Sequence, residues 1–321
     1  MIKDSTAKQQ FVAYHLHEMT ESSWDTKVRT RAFQWLDEVS PAHEDILPRA
    51  LIQQGFELEG RQVHLMSPQG IFTPLGCEYP LSVTTVLNGP YPDRFEDAHR
   101  LSYRYRGKNP NHRDNVGLRN AMRNNVPLVY FFAVAQGRYQ AIKPVYVTGD
   151  DPARLTFTIM ADQAGTFEGA LLPESEVADT VRTELRRQYA TAAVQVRLHQ
   201  ASFRERVLDA YRTHCAMCRL KHRELLDAAH IIPDSDPDGH PEVSNGLALC
   251  KIHHAAFDRG IVGVRPDYVI EVREDVLKEV DGPMLKYGLQ ALHNSELLLP
   301  TRAADQPSKA ALEHRYQSFV R

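Results

Sequence analysis

Apolar residues near the start of the chain recur three and four positions apart. FQWLDEV (Phe33–Val39) and EDILPRALIQQGF (Glu44–Phe56) carry that spacing, which predicts amphipathic helices within residues 1–55. From Phe56 the pattern changes. FELEG, RQVHLM, GIFTP and LSVTTVL are short, rich in β-branched and aromatic residues, and separated by Gly and Pro. LSYRYRG (Leu101–Gly107) alternates, VPLVYFFAV (Val126–Val134) reads as a buried strand, and YQAIKPVYVTG and RLTFTIMAD read as further strands. The pattern predicts an α+β fold whose first domain, residues 1–170, is mixed α and β with a curved, mostly antiparallel sheet. Helical spacing returns in SEVADTVRTELRRQYATAAVQVRLHQ, which contains no Gly or Pro. This is expected to be a linker helix over 171–202. SFRERVLDAY then reads as a second helix that turns Phe203, Val207 and Leu208 inward and opens a domain over 203–280. The extension 281–321 is polar, and a short helix followed by a mobile tail is expected there.

With 321 residues, 42% of them hydrophobic and 25% charged, the chain suits two soluble domains. No apolar run approaches the roughly 18 residues of a membrane span. MIKDSTAKQQFVAY lacks a signal-peptide core, so a cytoplasmic location is expected. The net charge of -3 argues against a uniformly basic coat, but the charge is unevenly placed. Residues 181–223 carry ten Lys or Arg against three acids, a local +7 that leaves -10 elsewhere. Such a stripe is expected to follow a phosphate backbone, unless it is simply a solvated arginine-rich helix.

Four cysteines are too few for a secreted disulfide scaffold. Cys77 stands alone and reads as a small packed side chain. Cys215 and Cys218 form CAMC, and Cys250 and His253 form CxxH further on. Two such pairs match the tetrahedral donor set of a closed structural Zn2+ site, with His222 a weaker competitor for the fourth place. His254 follows His253 directly, and adjacent side chains on a helix point about 100° apart. His254 and Asp258, four apart, share a different face, which suits a second metal. Between the two ligand pairs, AAHIIP reads as a strand end carrying His230, and SNGLALC as a turn with Asn245 and the start of a helix. A neutral histidine beside a metal suits hydrolysis of a phosphodiester, the histidine taking a proton from water.

AAHIIP…SNGLALCKIHHAAFD resembles the HNH, or ββα-metal, endonucleases, over about residues 203–275. The resemblance implies a small zinc-stapled ββα-metal domain. It implies His230 as general base, Asn245 as organiser of the loop, and His254 with Asp258 as ligands of a catalytic Mg2+ or Mn2+. Many members carry Asp or His just before the base; here that residue is Ala229. Either Asp227 reaches the metal or water fills more of its coordination sphere.

NGPYPDRFEDAHRLSYRYRG (Asn88–Gly107) and the later NVGLRNAMRNNVPLVYFFAV are similar to the SRA domain, which flips modified cytosine out of the duplex. That resemblance covers about residues 70–150 and implies an SRA/PUA-like sheet. Tyr91 with Tyr103 or Tyr105 would stack on the base, and Asp93 would accept from its exocyclic amine. Arg94, Arg104, Arg106 and Lys108 would hold phosphates. Pro90 replaces a Gly of the family pattern, and Arg94 falls where an acid is usual. Together the resemblances imply a type IV, modification-dependent restriction endonuclease. Its partner would be double-stranded DNA bearing 5-methyl- or 5-hydroxymethylcytosine, and it would act as a homodimer so that both strands are cut. The alternatives are an HNH nuclease that reads phosphorothioate or no mark, and a non-catalytic zinc-stabilised DNA-binding protein.

Overall fold

A computed structural model describes residues 23–85, 94–97, 100–162, 179–234 and 236–320. The chain divides into two units, Met1–Leu198 and His199–Arg321.

The strands of the first unit are β1 (Ile46–Pro48), β2 (Phe56–Leu58), β3 (Arg61–Val63), β4 (Ile71–Phe72), β5 (Ser82–Thr84), β6 (Arg94–Asp97), β7 (Arg100–Arg104), β8 (Leu128–Ala135), β9 (Arg138–Asp151) and β10 (Thr156–Ala161). The order in the main sheet is β4-β5-β8-β9-β10-β7-β6, with β1 also paired to β9. All of its pairs are antiparallel except β5 with β8. Register shifts along β8/β9 and β9/β10 add local twist, and the sheet curls into a half-barrel, the curved and mostly antiparallel form expected.

Strand β8 is apolar along its whole length because both of its faces are covered. Leu128 and Tyr130 enter one core, while Val129, Phe131 and Ala133 enter another. Helix α1 (Trp24–Val39) closes the second core with Val28, Ala32, Phe33 and Leu36. After α2 (Arg49–Gln54), helix α3 (Arg113–Arg123) closes the first with Leu118 and Ala121. Ala190, Val194 and Leu198 join that core from helix α4 (Asp179–Ala210).

Helix α4 is where the structure departs from the pattern-based division. The linker helix and the following helix are one element of 32 residues. Nothing between Leu198 and Phe203 breaks a helix: the intervening residues are His, Gln, Ala and Ser. Phe203, Val207 and Leu208 do turn inward, onto the core of the second unit.

That second unit holds an antiparallel pair, β11 (Leu226–His230) and β12 (Gly246–Cys250), followed at once by α5 (Lys251–Asp258). SNGLALC is therefore mostly strand rather than the start of a helix. GLALC is buried at every position, and a short apolar run covered on both faces has no period that separates strand from helix. Gly246 sits opposite His230 in the register. A Cβ at this glycine would lie 2.5 Å from Val207 Cγ2 and 2.9 Å from Phe203 Cζ, so its lack of a side chain lets α4 lie directly on the sheet.

The extension is not a tail. After β13 (Val262–Val264), β14 (Ile270–Val272), α6 (Glu274–Lys278) and α7 (Pro283–Gly288), it ends in α8 (Lys309–Phe319). Leu292, Leu297, Ala311 and Leu312 are buried in the same core as β12 and α5. Among the described residues no helix is long and apolar enough to cross a membrane.

Candidate active site and metal centre

The strand–strand–helix unit answers why two histidines stand side by side. Cys250 is the last residue of β12 and the N-cap of α5, so His253 falls in the first turn of the helix. Its side chain is buried, while that of the next residue, His254, turns to the half-buried opposite side.

His253 closes a cluster with Cys215, Cys218 and Cys250 in which all the ligand atoms lie within 4.8 Å of one another. Cys218 Sγ is 4.0 Å from Cys250 Sγ, and His253 Nδ1 is 3.2 Å from Cys250 Sγ and 3.5 Å from Cys215 Sγ. A tetrahedron with Zn–S bonds of about 2.3 Å has S···S edges of about 3.8 Å, so the donor set fits Zn2+. The outer contacts agree. His253 Nε2 is 2.7 Å from the carbonyl of Gly288, which as a donor from that nitrogen leaves Nδ1 free to ligate. The backbone N–H of Cys250 donates to Cys215 Sγ at 3.3 Å. Hydrogen bonding with Cys218 and Cys250 holds the Cys215 thiol well below the ordinary thiol range, the charge state a metal requires. His222 is outside this cluster; its ring faces Glu224 at 3.4 Å.

His230 ends β11. Its ring stacks on Phe203 with centroids 4.0 Å apart and planes 12° from parallel. Nε2 is buried and has no hydrogen-bond partner among the described residues. Burial pushes its pKa below the ordinary histidine value; Asp234 and Asp258 oppose that shift, and His254 adds to it. The imidazole is therefore neutral near pH 7 and keeps an unpartnered ring nitrogen, the state in which a histidine can take a proton.

Asn245 is buried and ties the loop between the strands. Its Oδ1 accepts from the N–H of Ile232 at 2.9 Å, and its Nδ2 donates to the carbonyls of Ile232 and His240, both at 3.0 Å. The main chain adds a bond from the N–H of Ile231 to the Asn245 carbonyl. The residue thus holds the segment directly after His230. Asn245→Ala leaves those three groups without their partner, at about 1–3 kcal/mol for each one that stays buried. Hydrogen exchange is expected to quicken across residues 231–245, and cleavage to fall while zinc content stays the same; unchanged exchange there would remove the loop-organising role.

His254 lies between two carboxylates. Its Nε2 is 3.3 Å from Asp258 Oδ2, and its Nδ1 is 3.6 Å from Asp227 Oδ2. Two ligand atoms bound at about 2.1 Å and at right angles stand about 3.0 Å apart, so the Nε2–Asp258 pair suits one edge of an octahedral Mg2+ or Mn2+. Lys251 Nζ lies 3.4 Å from Asp227, and Arg315 of α8 lies 3.7 Å from Asp258. Ala229 is fully buried and faces the core, so no ligand reaches the ion from that position.

The structure treats the predicted base-pocket residues differently. Tyr91 and Asp93 lie outside the described residues. Tyr103 and Tyr105 are only 5% and 6% exposed and belong to the core of the first unit. Tyr105 stacks on Phe157 at 4.5 Å, has the Arg119 guanidinium over its ring at 6.0 Å, and bonds Asp150 through its hydroxyl. As placed, these two rings have packing partners where a base would stack. Arg106 is paired with Asp114.

Much of the basic stripe is also engaged internally. Arg186 and Arg187 bind Asp162, Arg204 donates to the Leu226 carbonyl, Arg206 to the Pro241 carbonyl, and Arg223 pairs with Glu205. Sequence reasoning missed Phe203 as the partner of His230, the Gly288 carbonyl and Arg315. Each meets the site from 27 or more residues away, and no local spacing announces such contacts.

Residues 215–265 match the HNH endonuclease family, so the second unit carries an HNH endonuclease region, a nuclease and phosphodiesterase by class. No curated protein matches the chain. Solved structures similar to it include two restriction endonucleases. One is a modification-dependent TagI restriction endonuclease, at 14% identity and a TM-score of 0.27, covering 75% of this chain and 82% of that one. The other is the type IV phosphorothioation-dependent restriction endonuclease ScoMcrA, at 16% identity and a TM-score of 0.21, covering 75% of this chain and 50% of that one.

Proposed function

We propose that the protein is a modification-dependent DNA endonuclease that hydrolyses phosphodiester bonds in double-stranded DNA bearing 5-methyl- or 5-hydroxymethylcytosine. The observation that carries the nuclease half is the unpartnered ring nitrogen of a neutral His230 whose charge neighbours include the His254–Asp258 pair. The half that concerns modification rests on the resemblance of residues 70–150 to base-flipping domains.

In this reading His230 Nε2 takes the proton from the attacking water, and stacking on Phe203 holds its ring in line. Asn245 keeps the loop after His230 from collapsing onto it. His254 and Asp258 would hold Mg2+ or Mn2+, which would supply charge neutralisation at the scissile phosphate and the leaving 3′ oxygen. Cys215, Cys218, Cys250 and His253 hold Zn2+, which staples β12 and α5 and so sets the direction of His254. Tyr91 would stack on the flipped base and Asp93 would accept from its exocyclic amine. A homodimer brings two such sites to the two strands.

The test is a cleavage assay with Mg2+ or Mn2+ on matched plasmids that are unmodified, 5-methylcytosine-containing, 5-hydroxymethylcytosine-containing or phosphorothioated. Cutting confined to a cytosine-modified plasmid is expected. Cutting confined to the phosphorothioated plasmid would replace the flipped-base reader with a backbone reader, and equal cutting of all four would discard modification dependence. Retention of DNA in a gel with no cutting of any plasmid would leave a zinc-stabilised binding protein.

A further inference from the structure

The ring of His254 has carboxylates at both nitrogens, and these two carboxylates cannot do the same work. Nδ1 and Nε2 point away from each other, so an ion on one nitrogen is remote from a carboxylate facing the other. We infer that Asp227 is a positioning residue: it fixes the tautomer and direction of His254 from outside the ion's coordination sphere, and the protein supplies that ion with two ligands only, His254 Nε2 and Asp258. This rests on the nuclease reading above and goes beyond it by dividing the acids between two roles.

Three observations favour the division. The first is spacing. Asp258 Oδ2 stands 3.3 Å from Nε2, a distance two ligands of one ion can share, whereas Asp227 Oδ2 faces Nδ1 at 3.6 Å. That gap closes to a hydrogen bond with a side-chain shift of about 0.5 Å. A histidine that ligates through one nitrogen commonly donates its other N–H to a carboxylate, which fixes the tautomer and strengthens the ligand. The second is charge. Asp227 is already met by Lys251 Nζ at 3.4 Å and by Arg204 Nε at 3.8 Å. Two cations on one carboxylate oppose a third, a divalent ion, but do not prevent it from accepting an N–H. Among the described residues Asp258 meets one Lys or Arg, Arg315, through Oδ1 and keeps Oδ2 toward His254. The third is the strand itself. The residue directly before the base is Ala229, fully buried and paired with Leu247 in the register, so β11 places no ligand there. Asp227, two residues earlier, lies opposite Leu249 and reaches the far edge of His254.

The experiment is titration of the full-length, zinc-loaded protein with Mn2+ by calorimetry, with zinc content and melting temperature measured on every variant. Asp227→Ala is expected to weaken Mn2+ by about 10–100-fold, the usual cost of losing such an outer carboxylate. Asp227→Asn is expected to recover at least half of that loss on a logarithmic scale, because its amide oxygen still accepts from Nδ1–H. His254→Ala and Asp258→Ala are expected to lose more than Asp227→Ala. The inference is overturned if Asp227→Ala binds Mn2+ like the wild type, or if Asp227→Asn recovers less than half. It is also overturned if Asp227→Ala loses as much as Asp258→Ala, which would make Asp227 a ligand. A wild type that binds no Mn2+, or a His254→Ala variant that binds it normally, sinks the site reading itself and is distinguishable from those results.

Discussion

His230→Ala is expected to abolish cleavage while zinc content and DNA retention stay at wild-type levels. In the proposed mechanism the imidazole takes a proton from water, and loss of a general base costs about 10²–10⁴-fold in rate. Nothing in the cysteine–histidine cluster touches it, so zinc should be indifferent to the change. The pH dependence follows from burial. A base works when neutral, and burial holds the pKa of His230 below the ordinary value of 6.5. The rate should therefore rise with pH through that lowered value and be flat by pH 7. Phe203→Ala uncovers the ring, and the midpoint of the rise should move up toward 6.5. Stability carries the same sign. Between the lowered pKa and 6.5 the unfolded chain binds more protons at this residue, so the folded state gains stability as pH rises through that window and loses it as pH falls. A His230→Ala enzyme that cuts at the normal rate, or a Phe203→Ala profile identical to the wild type, would remove His230 from the mechanism.

Stripping Zn2+ with a chelator, or making Cys250→Ser, should lower the melting temperature of residues 199–321 and abolish cutting even though every catalytic side chain remains. Cys250 ends β12, His253 opens α5, and His254 is the next residue. The cluster therefore sets the bend between β12 and α5, and with it the direction in which the His254–Asp258 face of the helix points. Structural zinc contributes about 10–16 kcal/mol in zinc-finger peptides, which have almost no core. Here the unit has a core of its own that includes Phe203, Leu247, Phe257 and Leu312, so the loss should be smaller. Even about 3 kcal/mol would lower the melting temperature by about 10 °C in a domain of this size. Scanning calorimetry with zinc quantified in the same samples reads the effect. The exposed Cys218 should be the most tolerant ligand to replace, and Cys215 and Cys250, both buried, the least. Zinc-free protein with an unchanged melt and full activity would contradict a structural metal.

The C-terminal extension bears on both results. Arg315 donates to the Phe257 carbonyl at 3.1 Å, and its guanidinium covers the Phe257 ring at 4.8 Å. Helix α8 thereby holds the end of α5, where Asp258 sits. A segment that reads as polar and loosely attached is a strut of the nuclease domain, because Leu292, Leu297, Ala311 and Leu312 along it reach the core.

What was legible in the chain follows from how locally each feature is encoded. The two ligand pairs, the order of His230, Asn245 and His254, and the strands of the first unit are properties of spacing, and spacing survives without coordinates. The helical angle between neighbours was enough to assign His253 and His254 to different tasks. Arginine-rich composition was less informative. It gave the sign of the charge from 181 to 223, but not that Asp162, Glu205 and backbone carbonyls already hold many of those guanidinium groups. Alternation likewise placed Tyr103 and Tyr105 on a strand without telling which layer would cover them.

The sequence alone determined the donor chemistry, the nuclease motif and the class of sheet, because each is written in residue type and interval. Only the tertiary structure decided that GLALC is a strand, that α4 runs unbroken, that Phe203 lies on His230 and that Asp227 and Asp258 meet opposite edges of one ring. Those are contacts between residues distant in the chain or choices between two conformations of one apolar run, and packing is the force that settles both.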